Sequence, residues 1–290
     1  MRLRNRADRR TWIWAFLFMP AAVALHYARP ALSLWLAPVS FYLAYCAGVI
    51  MHNHNHCPTF TGRRANAFLS AWLSFFYGFP TFAWIPTHNR NHHRYVNRPG
   101  DATITSLAGA RNTPLAAARY FFASAAGQAP LIARFLREVR CRDRRLFAAC
   151  LSQYAVVFGG HAAALSLALL LHGPAAGAIV YLASLGAPAL GALWGLAFTN
   201  YVQHVDCDAR SRWNHSRNFV SRWMNYLVFD NGFHTVHHER PGLHWSRLRE
   251  EHAKIVHLVD PRLIEGSILG YCLKAYVLGR APAQALEPVA

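Results

Sequence analysis

The chain is poor in acidic residues and in lysine, and one long stretch carries no charge at all. Its 290 residues contain 13 Asp and Glu against 30 Lys and Arg, a formal net charge of +17. No Asp, Glu, Lys or Arg occurs from Leu146 to Val205. A basic nucleic-acid-binding protein would distribute its cations among its folded elements. The uncharged windows therefore argue against a nucleic-acid partner and favour a membrane protein whose cations mark its topology.

Two other patterns are also missing. The six cysteines form no CxxC pair and show no paired spacing, which favours a reduced compartment or buried thiols over a disulfide framework. No HExxH sequence occurs, and this argues against a zinc hydrolase. We expect the N-terminal apolar stretch to be a membrane span rather than a cleaved signal, because no small-residue cleavage site ends it.

The apolar runs predict an all-α integral membrane protein with four transmembrane helices in a single domain that covers residues 1–290. Pro30 separates the first two runs, and HGPAAG (172–177) divides the uncharged stretch into two. A further run, Ala65 to Thr87, is interrupted by Gly78-Phe79-Pro80 and is interpreted as a re-entrant or interfacial segment. The expected spans are residues 11–28, 31–51, 146–171 and 178–200.

This layout places every Lys and Arg except Arg29 on one side of the membrane. The positive-inside rule makes that side cytoplasmic. We therefore expect both termini and a histidine-rich helical cap on the cytoplasmic side of a bacterial inner membrane or an equivalent membrane. Residues 102–145, 219–233 and 264–279 are interpreted as surface-lying segments.

Three dense histidine motifs lie at the predicted membrane boundaries: HNHNH, HNRNHH and HTVHH. In the last, the histidines at i, i+3 and i+4 share one helix face. Helical spacing likewise pairs His52 with His56 and stacks His88 over His92, with His93 about 100° round the helix. His54 is interpreted as a polar group at the water boundary. With the histidine that follows the fourth span, the candidate metal ligands are His52, His56, His88, His92, His93, His204, His234, His237 and His238.

Nine imidazoles exceed the needs of one four-coordinate zinc site, so two adjacent metals are predicted. Nitrogen ligation leaves iron, zinc, copper and nickel open. Outside the motifs, His161 and His172 are interpreted as packing or capping groups and His26 as an interfacial one. The remaining histidines lie among charges and are expected to be solvated; they are His215, His244, His252 and His257.

These motifs resemble those of the membrane fatty acid desaturase family, whose pattern is HxxxH, HxxHH or HxxxHH, and a final HxxHH. The order of spans and motifs is similar too, and so are Asn97, Asp101, Pro241 and Trp245. The resemblance covers nearly the whole chain. It implies two non-haem iron ions, O2 as co-substrate and a fatty acyl substrate that is free or bound to CoA, a carrier protein or a lipid. In the family a ninth histidine follows the fourth span, and His204 occupies that place.

The residues leave several alternatives open. The segment NYVQHVD (200–206) also resembles alkane hydroxylases and carotenoid ketolases, so desaturation and oxygen insertion both remain possible. A metal transporter would need ionisable groups within its spans. The third and fourth predicted spans contain no Asp, Glu, Lys or Arg, and His161 is their one histidine, which argues against a transporter. Residues that could orient imidazole N–H groups, or serve only in turns and caps, are Asn97, Asp101, Asn200, Asp206 and Asn231.

No fused cytochrome-like domain is evident in the sequence. We therefore expect electrons to come from a separate ferredoxin- or cytochrome-type donor, whose acidic surface would suit the basic face.

Overall fold

The computed structural model describes residues 2–279 and is 77% helical. Its α-helices are Arg9–Ile13 (α1), Met19–Ala28 (α2), Ser33–His56 (α3), Arg63–Tyr77 (α4), His93–Tyr95 (α5), Pro114–Arg142 (α6), Arg144–Tyr181 (α7), Ala187–His204 (α8), Arg222–Leu227 (α9), His234–Glu239 (α10), Leu248–Ile255 (α11) and Ile268–Cys272 (α12). Wider π-helical turns cover Trp14–Phe18, Ile85–His92, Leu182–Gly186 and Leu273–Val277. Short 3-10 turns cover Arg6–Asp8, Pro30–Leu32, Thr81–Ala83, Thr105–Ala108, Trp245–Arg247, Val256–Leu258 and Pro261–Leu263.

Three continuous helical segments are long and apolar enough to cross a membrane: Arg6–Ala28, Pro30–His56 and Arg144–His204. The first two extend the predicted spans at residues 11–28 and 31–51 by a few residues. A further apolar pair, Arg63–Tyr77 and Thr81–Tyr95, is bent by 99° at the break between them. The break contains Gly78, whose φ of 77° favours glycine, and lies where the sequence predicted an interruption. These segments make the protein an integral membrane protein.

The 61-residue segment Arg144–His204 reverses its direction at Gly173 (φ 75°, ψ 173°). Nδ1 of His161 lies 3.1 Å from the hydroxyl of Tyr181, although 20 residues of straight helix would separate them by about 30 Å. A Cβ on Gly177 would lie 2.5 Å from the carbonyl oxygen of Ala168, so the two arms pack closely beside the turn. The segment is thus a helical hairpin, with its turn inside the predicted HGPAAG break.

The chain divides into two compact units. Within the described residues, the first comprises residues 2–85 and 133–196, and the second comprises residues 86–132 and 197–279. Large apolar side chains of the first unit point outward, with Trp35 and Leu170 each 84% exposed. Outward-facing aromatic and aliphatic groups on long apolar helices are the pattern that a lipid environment requires.

The second unit holds most of the histidine motifs on short helices. Its core packs Tyr120, Tyr201, Val202, Phe219 and Tyr271 together. Two short parallel strands, Asn218–Phe219 (β1) and Ile264–Glu265 (β2), pair Asn218 with Ile264 and Phe219 with Glu265. This pairing ties the segment before α9 to the segment before α12.

Candidate metal centre

The second histidine motif lies on a π-helix. Residues 85–92 form the wider π turn before α5 continues the helix, and a π turn pairs positions i and i+5. His88 and His93 therefore lie side by side, with their Nε2 atoms 3.1 Å apart. The α-helical spacing expected from the sequence stacked His88 on His92. Those two rings do lie 5.2 Å apart, but the π winding directs His92 to a different set of histidines.

The third motif forms α10, as its spacing predicted. Its first and last histidines face one set of imidazoles, because Nε2 of His238 lies 3.1 Å from Nε2 of His234. The middle histidine faces another set, because Nε2 of His237 lies 3.0 Å from Nε2 of His93. The residues before the helix, Phe229 and Asp230, both have φ of 53°. Two successive left-handed residues other than glycine are costly, so surrounding contacts must hold the backbone in this conformation ahead of α10.

His204 is the last residue of α8 and joins the set formed by α10. Its Nε2 atom lies 2.9 Å from Nε2 of His234. The ring is fully buried, which is unusual for a helix-terminal imidazole unless its polar atoms are satisfied. This position brings the isolated histidine into contact with the third motif.

The histidines of the second unit thus form two adjacent groups. We name them the His93 group (His88, His93, His237) and the His238 group (His92, His204, His234, His238). Within each, the candidate ligand nitrogens all lie within 4.8 Å of one another. The groups adjoin, since the ring centroids of His93 and His238 are 4.5 Å apart.

The nitrogen separations fit metal ligation. Nε2 of His93 lies at hydrogen-bond distance from two other ring nitrogens, those of His88 (3.1 Å) and His237 (3.0 Å). Nε2 of His234 likewise lies 2.9 Å from Nε2 of His204 and 3.1 Å from Nε2 of His238. One ring nitrogen holds either one proton or one lone pair, so hydrogen bonds alone cannot satisfy such triplets. Nitrogens about 2.1 Å from one cation are about 3.0 Å apart when they subtend a right angle. The observed separations of 2.9–3.1 Å match that value.

His92 is oriented by a carboxylate. Its Nδ1 lies 2.8 Å from Oδ2 of Asp101 and 3.0 Å from the hydroxyl of Thr103. Its Nε2 is buried and has no hydrogen-bond partner among the described residues. A proton held on Nδ1 by Asp101 leaves the Nε2 lone pair for a metal. His92 therefore has the tautomer and the orphaned nitrogen of a ligand.

The electrostatics of Asp101 agree with this role. Burial raises the pKa of its carboxyl group, but electrostatic attraction to the His92 imidazole, a hydrogen bond from it and the hydrogen bonds from Thr103 outweigh burial and hold that pKa below its usual value. The backbone N–H of Asn97 adds another hydrogen bond at 2.8 Å. A carboxylate that stays ionised is a permanent acceptor for the imidazole N–H.

A backbone carbonyl orients His204 in the same way. Its Nδ1 lies 3.0 Å from the carbonyl oxygen of His215, and a carbonyl can only accept, so Nδ1 carries the proton and Nε2 the lone pair. In the same group, burial and the neighbouring imidazoles of His93 and His234 hold the pKa of His238 well below its ordinary value. Burial likewise holds the pKa of His204 well below its ordinary value, so these two imidazoles stay neutral near pH 7, as metal ligands must.

The structure distributes the other predicted site residues among different contacts. His52 and His56 lie in the first unit on the last turn of α3, with ring centroids 5.0 Å apart. Among the five candidate orienting residues, Asp101 is the one whose described hydrogen bond is to an imidazole: its carboxylate accepts from Nδ1 of His92. The described bonds of the others go to backbone or non-imidazole groups: Asn97 to the carbonyl of His204, Asn200 to the hydroxyl of Tyr120, Asp206 to Asn112, and the carbonyl of Asn231 to Gln203.

Several histidines outside the two groups differ from their sequence interpretation. Three that were expected to be solvated, His215, His244 and His252, are buried, whereas His257 is exposed as expected. His26, interpreted as interfacial, is buried against Ser40, with 2.9 Å between Nε2 and Oγ. His54 is buried too and contacts the Thr59 hydroxyl at 3.0 Å. Neighbouring charges along the sequence do not show which face of a segment a side chain occupies.

Sequence reasoning also missed two groups that act on the predicted ligands. Thr103 lies two residues after Asp101 and contacts the same nitrogen of His92, and its proximity to the second motif was a usable signal. The carbonyl of His215 carried no signal, because every residue has one. None of the six cysteines forms a disulfide within the described part of the chain.

Comparison with known proteins gives one match. The family model described as "Fatty acid desaturase" matches residues 25–264, a range that contains all three histidine motifs and His204. No curated protein and no solved structure matches the chain.

Proposed function

Because the chain belongs to the fatty acid desaturase family, we propose that it is an O2-dependent membrane enzyme that introduces a double bond into a fatty acyl chain. The observation that carries this proposal is the pair of adjacent all-imidazole groups in the second unit. Metal transport needs sites that bind and release along a path through the membrane. Two tightly packed, fully oriented sites suit a resident cofactor better.

We assign two non-haem iron ions to the two groups. The His238 group offers four ligands, and the His93 group offers three. On the strength of the family motif HxxxH, which they match, we propose His52 and His56 as further iron ligands. When bound, the irons supply the oxidising power by which O2 removes hydrogen from an unactivated methylene.

The chain's own residues prepare the site for that chemistry. Asp101 and the His215 carbonyl hold protons on the Nδ1 atoms of His92 and His204, so that each Nε2 presents a lone pair. Burial of His92, His204 and His234 excludes water from one side of the centre. None of these imidazoles needs to exchange protons, because each acts as a ligand.

The substrate and the electron source follow from the family and the charge of the chain. The acyl chain enters an apolar path between membrane helices, with its carboxyl-derived head near the cytoplasmic arginines. A separate ferredoxin- or cytochrome-type protein supplies electrons through a basic face that suits an acidic partner. This proposal places the histidine motifs and both termini in the cytoplasm, since the cations concentrate there.

A related hydroxylase is the second candidate, because residues 200–206 resemble the corresponding segment of oxygen-inserting enzymes. Product analysis separates the two. Purified protein, supplied with O2, a reducing system and fatty acyl substrates, is expected to yield products that have lost two hydrogens. Products that have gained oxygen would identify a hydroxylase, and an unchanged acyl pool with purified iron-loaded protein would contradict both.

A further inference from the structure

Residues His215 to Asn218 form a buried polar segment that contacts both α8 and α10, the two helices that carry three of the four histidines of the His238 group. We call these four residues the clamp segment. Ser216, Arg217 and Asn218 are fully buried and His215 is nearly so. Burying polar and charged side chains costs free energy that hydrogen bonds offset. Within residues 2–279, Arg217 Nε and Nη2 and His215 Nε2 lack such bonds, whereas the other polar side-chain atoms of these residues form them. The contacts of the clamp segment therefore show what it holds together.

On one side, the clamp segment binds the end of α8. The backbone N–H of Arg217 donates to the carbonyl of Gln203 at 2.6 Å, and its Nη1 donates to the carbonyls of Val202 at 2.5 Å and Val205 at 3.2 Å. The last carbonyls of a helix lack partners and carry partial negative charge, which a guanidinium neutralises. The other face of this guanidinium lies 4.4 Å from the Tyr271 ring. These bonds enclose His204, whose ring also binds the His215 carbonyl.

On the other side, the clamp segment binds Thr235, the residue after His234 in α10. The Thr235 hydroxyl lies 2.9 Å from that of Ser216 and 2.8 Å from the donating side-chain amide of Asn218. It also lies 3.3 Å from the Ser216 carbonyl, and the Thr235 N–H donates to the side-chain carbonyl of Asn218 at 3.1 Å. One fully buried threonine thus makes four contacts with two clamp residues.

Such anchoring matters because α10 is only six residues long. A helix of this length has little stability of its own, so its rotation depends on tertiary contacts. Rotation of α10 would move His234 and His238 away from His204. The His238 group takes three of its four ligands from α8 and α10, whereas the His93 group takes only His237 from them.

We propose that the clamp segment and Thr235 are positioning residues that set His204, His234 and His238 for one of the two metals. This inference rests on the proposed function, since it assumes that the two groups bind iron. Loss of a contact between the clamp segment and Thr235 should therefore weaken metal binding by the His238 group more than metal binding by the His93 group.

The test is anaerobic Fe(II) titration of metal-stripped full-length protein in detergent. Thr235→Val removes the hydroxyl at nearly constant volume, and Thr235→Ser retains it. We expect Thr235→Val to weaken one of two binding steps by at least about tenfold, the scale typical of lost support for metal ligands. The other step should change much less, and Thr235→Ser should restore both. Thr113→Val is the matched control, because it removes a hydroxyl that binds the Ala116 N–H, outside the clamp.

Equal weakening of both iron-binding steps in Thr235→Val, or wild-type affinities for both, would overturn the positioning role. If Thr235→Val does not fold, judged by its circular dichroism, Ser216→Ala removes a single contact and must show the same selective loss. Wild-type protein that does not bind two equivalents of iron would refute the proposed function and this inference together.

Discussion

Histidines in the two units are buried in similar degree but satisfied in different ways. In the first unit, His161 binds the Phe75 carbonyl and the Tyr181 hydroxyl, and His26 binds Ser40. In the second unit, the ring nitrogens of the His93 and His238 groups face other ring nitrogens. Both ring nitrogens of His161 have protein partners. Ring nitrogens that face other ring nitrogens suit a shared cation better than hydrogen bonds, so the identity of the partner, rather than burial, marks a candidate metal ligand.

The largest expected effect comes from removing a ligand of either group. In His238→Ala the His238 group loses one of its four imidazoles, and in His237→Ala the His93 group loses one of the three described. Since both metals are needed to use O2, each variant should reduce product formation below detection, and the iron content of the purified protein should fall. His257→Ala is the control, because this imidazole is exposed and belongs to neither group. Full activity in either ligand variant would show that the clustered imidazoles of the second unit are not needed as metal ligands.

Removal of a ligand's orienting group should have a smaller effect. Asp101→Asn keeps the shape of the side chain but removes the charge that fixes the Nδ1 proton of His92. Activity and iron affinity should each fall about 10- to 100-fold. Asp143→Asn is a matched control, since Asp143 caps the start of α7 and asparagine caps helices equally well. Equal losses in the two variants would argue that Asp101 has no special relation to the metal.

A histidine with protein partners should matter for stability and not for metal binding. His161→Leu removes a ring that bridges α4 and the hairpin, leaving the Phe75 carbonyl and the Tyr181 hydroxyl without it. The unfolding free energy should fall by about 1–3 kcal/mol, seen as a lower thermal midpoint, while iron content per folded chain stays unchanged. Iron loss in proportion to the stability loss would show that the two kinds of histidine are not separable.

The smallest effect concerns His252, a buried histidine with neither kind of partner. Its ring lies 5.1 Å from Phe233, and neither ring nitrogen has a hydrogen-bond partner within residues 2–279. Burial lowers its pKa from 6.5, so the unfolded chain binds the proton more readily than the folded one. Its contribution to stability is therefore complete above pH 6.5 and decreases as the pH falls below that value.

His252→Phe removes this titration and keeps an aromatic ring against Phe233. The thermal midpoint of the wild-type protein should fall more between about pH 7.5 and about pH 5.5 than that of the variant. Iron-free samples of both proteins are compared, so that release of metal by acid does not contribute. An equal decrease of the thermal midpoint in the two proteins would show that protonation of His252 does not cause the loss of stability at low pH.

Much of the helical framework could be predicted because it depends on long, simple patterns. The uncharged runs predicted the N-terminal helices, and HGPAAG predicted the hairpin turn at Gly173. The third motif also formed the predicted helix. In these segments, composition and helical period determine the structure with little help from distant residues.

The details of the site depend on information that local patterns lack. The π turn at residues 85–92 assigns His88 and His92 to different groups, and its sequence is equally compatible with an α-helix. The partner of His204 is a backbone carbonyl, which carries no sequence signature. The burial of His215 and His252 depends on tertiary packing, and adjacent arginines and glutamates suggested the opposite. Five orienting residues were named from the sequence, and Asp101, close to the second motif, is the one whose described hydrogen bond is to an imidazole.

The central claim is that the clustered imidazoles hold two metal ions in one chain. Elemental analysis of the purified wild-type protein, after expression in iron-supplemented medium, tests it most directly. The expected result is about two iron ions per chain, which fall to one or none in His238→Ala. A single zinc ion per chain, or wild-type protein that is active without bound metal, would contradict it.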